Sequence, residues 1–207
     1  DNFVNQEKTL LAKKIEAMVD NKAQYSFLKL LDHMFENEAY KYLSTGQLEQ
    51  IPHITAETLY HTYQSMINND QCSVYVVGNV EPESVENQIR EKFALKPFDK
   101  HQFQHSTHHL HDEEVDYIVE YDDVDQAKLN MGYRFPTQYG QSGYAAFVVF
   151  NMMFGGDPSS VLFNEVREKQ SLAYSIHSQI DGKNGYLFVL SGVSSDKYET
   201  AKDTIIS

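Results

Sequence analysis

The sequence predicts an α+β chain, and three observations carry that prediction. Through the first hundred residues apolar side chains recur every three to four positions, the period of an amphipathic helix. Beyond residue 114 the period falls to two and is interrupted by a glycine-rich turn, as in paired strands. Between them, residues 96–114 are polar and histidine-rich with no period, which marks a linker. At 207 residues and 41% apolar content, the chain can bury a substantial core.

The helical part opens with Val4, Leu11, Ile15 and Met18 on one face, followed by Phe27, Leu28, Leu31, Met34 and Phe35 on another. Asp20-Asn21 separates these segments and Gly46 closes the second. Thr55 caps a third helix with the stripe Leu59, Tyr63, Met66 and Ile67, which Asn68-Asn69-Asp70 stops. Cys72 to Val77 reads as a buried strand closed by Gly78-Asn79. Pro82 then sits in the first turn of a fourth helix, whose inner face is Val85, Ile89 and Phe93.

After the linker, Val115, Tyr117, Val119 and Tyr121 alternate with Asp116 and Glu120, predicting a half-buried strand. Residues 127–134 repeat the pattern with Leu129, Met131 and Tyr133, and Pro136 ends it. Residues 143–154 are apolar almost all round, which predicts a helix buried on most sides. Gly155-Gly156 would end that helix as a C-cap pair, and Ser159 or Ser160 would cap a short helix over 161–169. A strand over 172–179, the turn Asp181-Gly182-Lys183-Asn184-Gly185 and a strand over 186–191 form a hairpin. An amphipathic helix over 195–206, with Tyr198, Ala201 and Ile205 inward, completes the chain.

The formal net charge of −13 argues against a nucleic-acid partner, because phosphate binding needs clustered Lys and Arg. It also opposes an anionic membrane surface. Eight acids and no base lie between Asp112 and Asp125, a solvated acidic face that would also steer basic peptides. No apolar run approaches the length of a membrane span. Cys72 is the only cysteine, so no internal disulfide forms; in its apolar run it reads as a small buried hydrophobe, and the absence of disulfides suits a reducing compartment. The chain begins on Asp1 and ends in a helix, and is read as a piece of a longer protein.

The most informative stretch runs from Gly155 to Ser175: a Gly pair, a short helix carrying Arg167, and a strand carrying Tyr174 seven residues later. A guanidinium holds a carbonyl or carboxylate through its planar fork, and a phenol donates to an oxyanion. A helix-end Arg and a Tyr on the next strand can project into one cleft. The bland alternative is a surface ion pair of Arg167 with Glu165 or Glu168, beside an amphipathic sheet tyrosine.

Gly155-Gly156, Ser159-Ser160, Leu162-Phe163, Val166-Arg167-Glu168 and Leu172-Ala173-Tyr174 closely resemble, in order and spacing, the insulinase/pitrilysin family of zinc peptidases with the inverted His-x-x-Glu-His motif. Upstream, Glu7-Lys8, Gly46, Ile51, Ile54-Thr55 and Val76-Val77-Gly78-Asn79-Val80 match too. The resemblance implies mostly antiparallel sheets with helices on one face. It implies a first domain ending within residues 1–96, a linker at 97–114 and a second domain opening within 115–207. It further implies that Arg167 and Tyr174 are catalytic, binding peptide and stabilising the transition state, with Gly155 and Gly156 also at the substrate. Their place is the zinc-free half, so this chain would hold no metal and be inactive alone. Zinc would come from a partner subunit of the same family or from a preceding segment, giving a heterodimer in the bacterial cytoplasm. The alternative is a non-catalytic peptide-binding or scaffold subunit. A chain cut in this way would expose strand edges and could self-associate.

None of the nine histidines completes a His-x-x-Glu-His pattern. His109-Leu110-His111-Asp112-Glu113-Glu114 is the nearest approach, and His101, His105, His108, His109 and His111 read as a solvated linker. No serine elbow, partnered cysteine or phosphate loop is present. By strand parity, His177 should face away from Tyr174.

Overall fold

The computed structural model describes residues 2–70, 72–93, 115 and 117–207. The linker and its histidine cluster therefore lie outside the described residues. The elements are α1 (Asn2–Glu16), α2 (Lys22–Met34), α3 (Ala56–Asn69), α4 (Pro82–Phe93), β1 (Ala127–Arg134), α5 (Tyr144–Asn151), β2 (Ala173–Asp181), β3 (Tyr186–Val193) and α6 (Tyr198–Ile206). Short 3-10 turns stand at Ala39–Lys41, Leu48–His53 and Ser195–Lys197, and π-helical segments at Met152–Gly156 and Phe163–Lys169. The chain divides into two compact units: residues 1–10 with 49–107, and residues 11–48 with 108–207.

The larger unit is built on a three-stranded antiparallel sheet of order β1-β3-β2. Its central strand, Tyr186–Val193, is apolar without alternation because both of its faces are covered. On one face Leu129, Ile176, Leu187, Val189 and Val193 meet Phe147, Leu162, Val166, Ala201 and Ile205. On the other, Tyr186 and Phe188 meet Leu31 and Phe35 of the α2 segment. Helix α2 thus packs on the sheet of the later half. Phe35 is wholly buried, with ring centroids 4.5 Å from Tyr40 and 4.6 Å from Tyr186. The Arg134 guanidinium lies 4.7 Å from its ring centre and pairs with Glu38. The α+β antiparallel architecture expected from the sequence holds, but helices cover both faces of this sheet, where the resemblance implied one.

The smaller unit is mainly helical. Thr55 caps α3 as expected: its hydroxyl accepts from Thr58 N at 3.1 Å while Thr58 Oγ1 accepts from Thr55 N at 3.0 Å. Lys8 donates to the carbonyls of Pro52 and Ile54 at 3.2 and 2.7 Å, tying the middle of α1 to the turn before α3.

Four local expectations are corrected. Residues 72–77 form no strand: Tyr75 and Val77 are 89% and 99% exposed, and Cys72 is an exposed thiol. Among the described residues of that unit no strand offers a ladder, so an extended run there keeps its backbone N–H and C=O groups in water rather than burying them unpaired. The described residues of 115–121 likewise form no strand, and Val115, Tyr117, Val119 and Tyr121 are all exposed.

Helix α5 is not buried on most sides. It buries Phe147 and Asn151, while its Val149 and Phe150, and Met152 and Met153 of the π-helical segment that follows, face outward. Gly155 and Gly156 are not a left-handed C-cap, since positive φ among glycines occurs only at Gly46, Gly140 and Gly185. They permit close approach instead. A Cβ on Gly155 would lie 2.6 Å from Ser178 Oγ, and one on Gly156 would lie 2.8 Å from Asn151 Nδ2.

Candidate functional site

The site grows from the turn after α5. Neither Ser159 nor Ser160 caps the next helix. Asp157 does the local work: its Oδ1 accepts from Ser159 N at 2.8 Å and from Ser159 Oγ at 2.6 Å. Those bonds from Ser159 hold the Asp157 carboxyl below its ordinary range. The following helical segment is anchored by Leu162 and Val166, both buried in the main core. Arg167, one position on, turns outward.

Its guanidinium carbon lies 4.6 Å from the Phe163 ring centre, and its Nη1 is 3.8 Å from Glu168 Oε1. The ring contact holds the guanidinium near Phe163. The Arg167 side chain is 41% exposed.

The connection to Tyr174 is rigid. Ser171 sits at φ 51°, an unusual conformation for a residue with a Cβ. It is held there because Leu172 N donates to Val166 O at 2.9 Å, and because Leu172 and Ala173 are buried. Lys197 Nζ reaches back from beyond β3 to the Ser171 carbonyl at 3.1 Å.

Strand β2 then bulges. Ala173 pairs with Val193 and Ser175 with Gly192, so Tyr174 is the extra residue. The bulge shifts the strand's parity by one. Ala173, Ile176 and Ser178 therefore face the core, whereas Tyr174, Ser175 and His177 are all exposed. The expected opposition of His177 and Tyr174 is overturned, because simple alternation does not survive a bulge. Tyr174 is 58% exposed, and its phenol oxygen accepts from Ser194 Oγ at 3.2 Å, which leaves the phenol proton available to a ligand.

Gly155 is buried against β2 at Ser178, on the side of the strand away from Tyr174, whereas Gly156 is exposed and lies against Asn151. Gly155 lets the Met152–Gly156 segment press onto β2 at Ser178, whose hydroxyl donates to Asn151 Oδ1 at 2.8 Å. Ser194 and Lys197, which steady Tyr174 and the Ser171 turn, carry no sequence signal beyond a polar turn after an apolar strand.

Among the described residues, no three His, Cys, Asp or Glu side chains come together in a way that could hold a metal ion. The described residues therefore offer no ligand set for zinc. No helix of the described residues is long and apolar enough to cross a membrane.

Comparison with known proteins agrees with this architecture. The family model described as "Peptidase M16 inactive domain" matches residues 53–207. The chain is 39% identical over 205 residues to the "Probable inactive metalloprotease YmfF" of Bacillus subtilis, covering 98% of this chain and 47% of that protein. Over 98 residues it is 27% identical to the "Uncharacterized zinc protease YmfH" of the same organism, covering 47% of this chain and 23% of that protein. The chain thus spans about half the length or less of the curated relatives it matches. Among solved structures, a conserved protein from Enterococcus faecalis superposes with TM-score 0.82 at 29% identity, covering 97% of this chain and 47% of that one. A protease from Helicobacter pylori shares the fold with TM-score 0.76 at 18% identity, over 100% of this chain and 51% of that one.

Proposed function

Because the chain belongs to the insulinase-type family whose model is the peptidase M16 inactive domain, we propose that it supplies the zinc-free, substrate-gripping wall of a peptidase. In this reading a zinc-bearing family member provides the metal in trans, in the bacterial cytoplasm. Residues 1–96 close a first domain of that type, 97–114 link, and 115–207 open a second.

The observation that carries the reading is the bulge at Tyr174, with the locked turn that joins it to Arg167. An isolated surface tyrosine needs neither a parity-shifting bulge nor a non-glycine residue at φ 51°. Arg167 holds a peptide carbonyl through its fork. Tyr174, with its oxygen already accepting from Ser194, donates its proton toward the oxyanion that forms as the amide is attacked. Gly155 sets how closely the preceding segment lies against the strand that presents Tyr174, and Gly156 next to it is exposed and open to the substrate. Alone, the chain binds peptide and does not cleave it. Among the described residues no strand pairs with the outer edges of β1 and β2, and these edges offer backbone to a second copy when the chain is produced by itself.

The test is turnover of a peptide by the protein reconstituted with a zinc-bearing relative. Arg167→Ala and Tyr174→Phe should each lower kcat/KM by roughly a hundredfold, the scale of a lost transition-state donor. Turnover retained within about threefold in both variants would instead assign the chain to a peptide-binding or scaffold role.

A further inference from the structure

Beside Tyr174 lies a second group of polar side chains that the Arg167–Tyr174 pair leaves unused. Lys128 on β1, Gly192 on β3 and Ser175 on β2 stand in register across the sheet. Gly192 contributes no side chain to this row, and the ends of its neighbours converge above it. A Cβ there would lie 3.1 Å from Gln126 Oε1, 3.2 Å from Ser175 Oγ and 3.3 Å from Lys128 Nζ. Ser175 follows Tyr174 in the bulge and, like it, is exposed, so the row ends beside the tyrosine.

The row is rich in unused donors. The Lys128 ammonium carries three N–H groups and meets one acceptor, Gln126 Oε1 at 3.4 Å. No acid of the described residues pairs with it, and Ser175 Oγ has no partner among them. Lys128 is half-buried. An ammonium partly withdrawn from water gains most from a charged acceptor, and a carboxylate can take one oxygen to Lys128 and the other to the Ser175 hydroxyl.

We propose that Lys128, steadied by Gln126 Oε1, and Ser175, gathered over Gly192, form a subsite for a carboxylate of the bound peptide, supplied by its C-terminus or by an Asp or Glu side chain. The inference rests on the peptide-binding reading of Arg167 and Tyr174 and adds a preference to it. The chain's negative charge favours basic peptides at long range, and this subsite selects among them for one acid held next to Tyr174.

The test is fluorescence anisotropy with the intact protein and three short dye-labelled peptides. One carries a single internal Glu and a free C-terminus; the second is its C-terminal amide; the third has Gln in place of that Glu. The peptide lacking the recognised carboxylate should bind the wild type about tenfold more weakly. Loss with the amide assigns the C-terminus, and loss with Gln assigns the side chain. Lys128→Ala should weaken the first peptide about tenfold and leave the neutralised one unchanged. Ser175→Ala should act in the same direction by less, with thermal stability unaltered in both variants.

Equal binding of all three peptides by the wild type overturns the subsite. So does a Lys128→Ala effect that is absent or equal for all three, as expected if the lysine only packs its stem. Arg167→Ala and Tyr174→Phe should weaken all three peptides together. If they weaken none while Lys128→Ala still discriminates, the Arg–Tyr reading fails and the carboxylate site stands alone. Failure of all three to bind the wild type overturns both.

Discussion

The two compact units are written in the same apolar patterns and come to opposite ends. In the larger unit the non-alternating strand β3 lies between two helical layers, and its apolar run becomes core. In the smaller unit the α3 stripe of Leu59, Tyr63, Met66 and Ile67 is exposed, and the apolar run 72–77 makes no ladder. Ile51 is the only apolar residue of that unit, among those described, that is fully buried. Periodicity states which face of an element can be buried. It is silent on whether a complementary surface lies in the same chain, and that surface decides whether burial contributes to stability.

The largest test of this contrast is a matched pair of truncations. Phe35→Ala removes a wholly buried ring that packs against Tyr40, Tyr186 and the Arg134 guanidinium. It should destabilise the larger unit by about 3–5 kcal/mol in urea unfolding. Leu59→Ala removes a side chain that is already half in solvent, and should change stability by less than about 1 kcal/mol. Comparable losses from both would mean that α3 is packed in solution, and the contrast would collapse.

Glycines sharpen the same comparison at smaller magnitude. Gly155→Ala places a Cβ 2.8 Å from the backbone nitrogen of Ser178, which cannot swing aside, and should cost about 1–3 kcal/mol. Gly78→Ala meets nothing closer than Val80 Cγ1 at 3.9 Å and should be neutral within about 0.5 kcal/mol. The Gly155 result bears on how glycine is read from sequence. A Gly pair after an apolar helix reads as a C-cap because local rules see only the chain's own turn. The reason for Gly155 is a strand more than twenty residues later, visible only once β2 has been placed.

Charge in the larger unit supplies the third test. Burial opposes ionisation of Asp181, but hydrogen bonds from Tyr40, Asn184 and the amides of Asn184 and Lys183 outweigh it and hold its carboxyl below the usual range. A depressed carboxylate adds stability above its unfolded-state value near pH 4 and loses it as pH falls through the folded value. Burial pushes the Tyr40 phenol up, with Asp181 adding to the shift, and burial pushes Tyr186 up to about 12. Raised phenols add stability below about pH 10 and lose it as pH rises through the folded values. Tyr40→Phe should therefore lower neutral-pH stability by about 1.5 kcal/mol and flatten both the acid and the alkaline limbs. Unchanged limbs in chemical denaturation across pH would show that the Tyr40–Asp181 bond is not made in solution.

How much of the candidate site was legible follows from where its information lies. Arg167 and Tyr174 stand seven residues apart in one local pattern, and the hairpin after them is announced by Asp181-Gly182-Lys183-Asn184-Gly185. β1 begins and ends where alternation said it should. The side toward which Tyr174 points was not legible, since one extra residue in β2 exchanges the faces of everything before it. Ser194, Lys197 and the row over Gly192 were invisible for a related reason. Each is defined by register with another strand or by reach across a turn, and a single sequence carries no register.

The smallest expected effect closes the contrast, because it touches stability hardly at all. Cys72 stands at the head of the run 72–77 and is exposed, whereas its sequence context calls for burial. In the folded chain its thiol should react with a maleimide about as fast as in urea, and Val77→Ser should shift stability by less than about 0.5 kcal/mol. Slow labelling that quickens on denaturation would mean that 72–77 had found a strand to pair with. The difference between the units would then lie in what each has to pack against rather than in how each is written. Fast labelling leaves the run as latent strand, apolar enough to join a sheet and carrying unpaired backbone that a sheet would satisfy.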